Sequence, residues 1–434
     1  MFERRLALSV FFASALAFMT PALSQPSAPP AIAWPPAEWN PRPLPDDLVL
    51  PLPCGGGIAF RPVATPVPQG ALADREATLG WSNSDTDYSE FLRRTFIRGG
   101  FPGPAPQSPP RYYIGKYEIT NDQYGAVMNP QDCAALPSAS GRLPRANVAW
   151  HEAAAFTSAL SSWLVKNAKD RLPKDGEALA FARLPTEEEW EYAARGGAEV
   201  GEVDFGAQVF PMPQGIQRYV WFQGTRSAGG AAHPIGELEP NPLGIFDILG
   251  NVAEWVIEPY RLNKVGRAHG LAGGTVARGG DFLTSEARIR SAMRVELPPL
   301  NVTTGETTKS PRVGLRPVLV RVSTTGDAQI SAVQDAFRQE SQSNATAAED
   351  PLKLLEALGR QASDAATRTG LSKIEATLRT SNREIRDRES LAIRGLMQTA
   401  THLARQIVVE KALEEVVAQI ADTQRRAIES QTQL

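Results

Sequence analysis

The sequence predicts an α+β domain rich in loops, followed by a separate α-helical region. Three observations lead there. Pro 35 and Gly 35 are both high for 434 residues, which favours irregular structure over a plain bundle. Up to about residue 322, aromatic and β-branched strand signals alternate with short helix signals. After Ser323 proline nearly vanishes, tryptophan is absent, and Ala, Glu, Gln and Arg dominate. At ~150 residues per domain, the length suggests two or three folded units.

The N-terminus reads as a secretory signal. Arg4 and Arg5 form a positive start, Leu6 to Met19 is apolar but too short to span a bilayer, and Ala22-Leu-Ser24 is a small-x-small cleavage site. A cut after Ser24 removes residues 1–24, leaves no membrane span and places the protein in the periplasm or outside; the alternative is a retained N-terminal anchor. Residues 25–56 are proline-rich and lack apolar periodicity, so they read as a linker or a surface strap. Cys54 and Cys133 are the only cysteines; an oxidising compartment would let them pair, and otherwise they are two thiols.

A short helix is expected within Tyr88 to Phe96, a strand over Tyr112 to Thr120, and a helix over Asn121 to Met128 capped by Thr120. Val148 to Asn167 has helical apolar spacing, with Trp150, Phe156, Leu160, Trp163 and Leu164. The clearest helix is Arg183-Leu-Pro-Thr-Glu-Glu-Glu-Trp-Glu-Tyr-Ala-Ala-Arg195. Thr186 and Glu189 make a capping box, three glutamates favour the positive helix start, and Gly196-Gly197 ends it. Ala277 to Phe282, Arg288 to Arg294 and Val313 to Val322 read as strands. The region 327–434 reads as a helical tail. Its rhythm at Leu396, Ala400, Leu403 and Ile407 is coiled-coil-like and slips phase before Val409; a packed helical hairpin fits equally.

Taken in order, these segments resemble the formylglycine-generating enzyme family, also called the sulfatase-modifying factor domain. The matching pieces are Tyr117 to Tyr124, Asn147 to Trp150, Arg183 to Arg195, Gly244 to Trp255, Arg278 to Phe282, Arg288 to Arg290 and Val313 to Pro317, and the resemblance covers residues 57–322. The resemblance implies a C-type-lectin-like fold. It also implies a structural calcium held by the side chains of Asp247 and Glu254 and the carbonyls of Gly250 and Val252. Asp247, Asn251 and Glu254 are hard oxygen donors in one glycine-flanked segment, which suits calcium; the plainer reading is that they bond the loop backbone. A second family calcium site reads as degraded, with Tyr219-Val-Trp221 where a ligand would stand.

Family enzymes oxidise a substrate cysteine with copper(I) held by two cysteines after the glycine pair, and copper(I) needs soft thiolates. Here Asp281 to Arg294 contains neither Cys nor His, so copper is not expected. His151, His233, His269 and His402 show no ligand spacing. If chemistry survives, the candidate catalytic residues are Glu254, Asp281, Arg288 and Arg290. Together with Arg278 and Arg294, Arg288 and Arg290 would line a groove for a carboxylate or peptide, or else pair internally with Glu286 and Glu296.

The charge balance, 45 Lys+Arg against 48 Asp+Glu, gives no sign of nucleic acid or an anionic membrane as partner. Two readings follow. One is an exported binding or regulatory module with a peptide or protein partner in the cell envelope and a tail that assembles copies of the chain. The other is a periplasmic maturation enzyme acting on a peptide or siderophore precursor.

Overall fold

The computed structural model describes residues 30–346, except 68–69, 83–86, 91, 265–266 and 325, and thereafter 367–377, 379–380 and isolated positions up to 425. The signal segment, Leu352 to Leu358 and the Leu396 to Ile420 rhythm lie outside the described residues. The contact pattern divides the chain between Val333 and Gln334.

Among the described residues the order starts with α1 (Pro36–Trp39), β1 (Leu48–Pro51), β2 (Gly57–Ala64), β3 (Arg75–Leu79), α2 (Asp87–Glu90), β4 (Arg93–Ile97) and β5 (Arg111–Gly115). Then come α3 (Asn121–Met128), α4 (Trp150–Asn167), β6 (Lys174–Asp175), β7 (Ala178–Leu179), β8 (Phe181–Arg183), α5 (Glu187–Ala194) and α6 (Glu202–Phe205). The rest is β9 (Ala253–Lys264), β10 (Arg267–Arg278), β11 (Arg294–Leu297), β12 (Val313–Gly314), β13 (Val318–Val320) and α7 (Asp327–Thr346).

A five-stranded sheet, order β1-β2-β5-β13-β8, forms the centre. It is buried on both faces, because alternate residues enter two different cores. Tyr112, Ile114, Val318 and Val320 join Trp190 and Tyr192 of α5 on one side. Phe60 and Leu319 join Phe156, Leu160 and Leu164 of α4 on the other. The open edge of β8 is closed by a side chain: Ser161 Oγ accepts from Ala182 N at 2.8 Å and donates to Ala182 O at 3.1 Å. A second sheet, β11-β10-β9-β12, carries the long β9–β10 hairpin.

The capping box expected at Thr186 is present, and the Thr120 cap is part of a second one. Glu189 N donates to Thr186 Oγ1 at 3.1 Å and Thr186 N to Glu189 Oε2 at 2.9 Å, and Thr120 and Gln123 do the same at α3. Gly196, at φ +100°, stands just after Arg195, the C-cap of α5.

The linker assigned to residues 25–56 needs correcting from Trp34 onward. Trp34 and Trp39 are buried against Ala59 and Ala126, and β1 pairs with β2. Lys116 reaches into this segment, donating to Asp47 Oδ2 at 2.6 Å and Asn40 Oδ1 at 3.0 Å. Cys54 is bonded to Cys133, with Cα atoms 5.1 Å apart. Prolines suppress periodicity without preventing burial.

Three other expectations shift. The helix near Tyr88 is short, and β4 follows it. Arg288 to Arg294 is turns, with β11 starting only at Arg294, because its inward arginines meet buried carboxylates rather than alternating between core and solvent. Pro317, lacking an N–H, lies between β12 and β13. In the tail, α7 leaves Ile330 and Phe337 exposed, and residues 367–377 are helical.

Candidate functional site

The segment Gly244 to Trp255 runs through the interior before entering β9. Asp247 and Asn251 both have positive φ, at 55° and 52°. Gly250 between them passes so close to Trp221 that a Cβ would lie 2.2 Å from its carbonyl oxygen, so only glycine fits there. This turn points three oxygen-bearing side chains inward, and each has a different set of partners.

Asp247 Oδ2 accepts from Gly236 N at 2.8 Å, while Oδ1 is buried without a partner. Burial pushes its carboxyl up to about 6. Asn251 Nδ2 donates to Glu118 Oε2 at 2.7 Å, and its Oδ1 accepts from His233 N at 2.9 Å. Glu118 also accepts from Val252 N at 3.1 Å. Burial, then the nearby Asp247 charge, hold Glu118 well above the usual carboxylate range. Glu254 is saturated: Trp190 Nε1 donates at 2.7 Å, Arg316 Nη2 at 2.7 Å and Arg316 Nε at 2.9 Å.

These partners test the calcium set. Asp247 fits a cation, because it offers a buried, unpartnered oxygen. Glu254 does not, because a guanidinium and an indole N–H take its oxygens. Among the described residues no group of three or more His, Cys, Asp or Glu is placed to hold a metal. Trp221, at the degraded second site, stacks on His233 with ring centroids 3.7 Å apart.

The candidate catalytic residues are held within the fold rather than gathered into one centre. Besides Glu254, Asp281 accepts from Leu283 N at 2.8 Å and from Arg312 Nη2 at 2.7 Å, closing a turn. Arg290 forks onto buried Glu90, and Arg288 is exposed. Arg278 binds Glu187 at 3.0 Å and Glu191 at 2.6 Å, and Arg294 binds Glu187 at 2.6 Å. Arg278, Arg290 and Arg294 therefore pair internally, but with Glu90, Glu187 and Glu191 instead of Glu286 and Glu296. Burial works to raise Glu191, but Arg278 and Arg195 overcome it and lower its carboxyl to about 2. Sequence reasoning assigned Glu187 to the helix dipole; its i, i+4 spacing with Glu191 was the available sign of a shared inward face.

A cavity of about 320 Å³ opens beside this network, lined by Arg93, Glu187, Glu188, Glu258, Arg261 and Arg294 among others. Glu258 Oε2 accepts from Glu187 N at 2.9 Å, at the start of α5. Burial, then the neighbouring Glu188, push its carboxyl up to about 7.

Fold and site together define an α+β domain with an oxygen-lined interior turn, a buried arginine–glutamate network and no free thiol among the described residues. Residues 90–319, more than half of the chain, match the sulfatase-modifying factor enzyme 1-like domain, and the chain belongs to that family. It is 32% identical over 145 residues to a formylglycine-generating enzyme of Thermomonospora curvata, covering 27% of this chain and 46% of that protein. It is 29% identical over 182 residues to the chaperone protein LppX of Paenibacillus barcinonensis, covering 34% and 62%. With the mouse protein named inactive C-alpha-formylglycine-generating enzyme 2, identity is 30% over 122 residues, covering 27% and 33%. The matches thus span less than two thirds of these curated relatives. Among solved structures, PvdO from Pseudomonas aeruginosa aligns at TM-score 0.43 and 17% identity, covering 64% of this chain and 100% of PvdO.

Proposed function

We propose that this chain is an exported binding or regulatory module of the formylglycine-generating family that has lost copper-dependent cysteine oxidation. One observation carries this reading. The chain has two cysteines, and each is the other's partner. Cys54 packs with Trp34, Trp39 and Ala126, whereas Phe282, after the glycine pair, packs with Ala228 and Val252. No thiolate is left for the soft metal that the family's oxidation uses. The mouse relative named as inactive is in keeping with this.

The disulfide supports an oxidising compartment, periplasmic or external. Among the described residues no helix is long and apolar enough to cross a membrane. A C-type-lectin-like fold, a partner peptide or protein, and self-association through a coiled-coil-like tail belong to the same proposal. The exposed Ile330 and Phe337 of α7 support self-association. A structural calcium would now rest on the side chain of Asp247 and the carbonyls of Gly250 and Val252, without Glu254. The maturation-enzyme reading is weaker, because Glu254, Asp281 and Arg290 already have partners.

The test is to incubate purified full-length protein with a cysteine peptide and copper in air. No aldehyde and no stoichiometric copper are expected. Aldehyde formation, or copper retained through gel filtration, overturns the proposal.

A further inference from the structure

Overall neutrality conceals one strongly basic element. From Pro259 to Gly280 the sequence contains no Asp or Glu, yet it carries Arg261, Lys264 and Arg267. These residues lie on the outer half of the β9–β10 hairpin. There every described residue of β10 from Arg267 to Gly273 is exposed, and Arg261, Leu262 and Lys264 of β9 are exposed too. Lys264 is directly paired with Arg267 across the ribbon, and like charges at opposed positions destabilise a strand pair. The ribbon also exposes Leu262 and Leu271, at 37% and 67%. Its register shifts between Ala268 and Ala272. A two-stranded ribbon is by itself marginal in water. Arg261 shares a cavity with Glu188 and Glu258, which leaves Lys264 and Arg267, beside the exposed leucines, to give the arm a specific complement.

We propose that the outer β9–β10 arm docks on an anionic lipid surface. Long basic side chains would lay their stems along the acyl boundary and keep their charges among the phosphates, while Leu262 and Leu271 enter the interface. A lipid surface accepts this pattern without a matching shape, which a thin ribbon does not supply to a folded protein. The inference stands on the arm alone and is independent of the oxidase question.

The test is co-sedimentation of the full chain with phosphatidylcholine vesicles made with and without phosphatidylglycerol. Binding is expected only with phosphatidylglycerol, and it should weaken as salt rises. Each cation near such a surface contributes about fivefold in affinity. Lys264→Gln with Arg267→Gln should therefore reduce partitioning by about thirtyfold. Leu262→Ser with Leu271→Ser should reduce it too. Lys166→Gln with Lys169→Gln, on exposed residues elsewhere, should leave it unchanged. No binding to the anionic vesicles overturns the proposal, as does an equal loss in the Lys166/Lys169 variant. A native mass that falls in the tip variant without vesicles would assign the arm to a second copy of the chain and overturn it as well.

Discussion

Glu258 is a half-buried carboxylate set against its neighbours, and neutralising it should stabilise the protein. It caps the start of α5 through Glu187 N, yet the nearest charges raising it are Glu188 and, more weakly, Glu187. Its carboxyl is lifted from 4.5 to about 7. Because the folded value is the higher one, the folded state binds this proton more tightly than the unfolded chain. The stability this contributes is present in full below pH 4.5 and is lost as pH rises through 7. At about 1.4 kcal/mol per pH unit, the loss is about 3 kcal/mol. Glu258→Gln keeps an oxygen for Glu187 N and removes the charge. Urea unfolding of both proteins between pH 5 and pH 8.5 measures the effect. The variant should be more stable by about 3 kcal/mol at the alkaline end, with the gap nearly closing at the acid end. A gap that is absent at the alkaline end, or independent of pH, refutes the reasoning.

Replacing Cys54 and Cys133 by serine opens a link across 79 residues and should cost about 4 kcal/mol in unfolding free energy; an unchanged denaturation midpoint would contradict it. Arg316→Met leaves Glu254 buried without its cation and should cost about 3–5 kcal/mol. Adding Glu254→Gln should recover part of that loss, and strict additivity in a double-mutant cycle would show that the pair is not coupled. If Asp247 holds calcium, chelation and Asp247→Ala should each lower the melting temperature, and chelation should not affect the variant; a wild type indifferent to chelator removes the ion. Deleting residues 327–434 should lower the native oligomer to a monomer in light scattering, and a full-length chain already monomeric ends the assembly role of the tail.

The sequence showed best what is specified locally. The Thr120 cap, the Thr186 box, the α4 periodicity and the break in composition after Ser323 are all short-range signals, and α3, α4 and α5 form where those signals lie. It failed where partners are distant. Arg290 and Glu90 are 200 positions apart, and nothing near either one announces the other. The alternation at Arg288 to Arg294 suggested a strand because buried, paired arginines look polar on the page. The family resemblance implied Glu254 as a calcium ligand, while Arg316, which takes its oxygens, comes from the far end of the domain. Residues 34–56 were misread because proline-rich composition hides a buried edge strand.

That edge strand determines how the protein can be cut. The recognisable family region starts at residue 90, but β1 and β2 supply two of the five central strands, and Cys54 lies between them. Expression of residues 90–319 alone would expose the flank of β5 that pairs with β2 and leave Cys133 as a lone thiol. A clone trimmed to the homology boundary is therefore expected to aggregate, and a usable one has to begin upstream of Trp34.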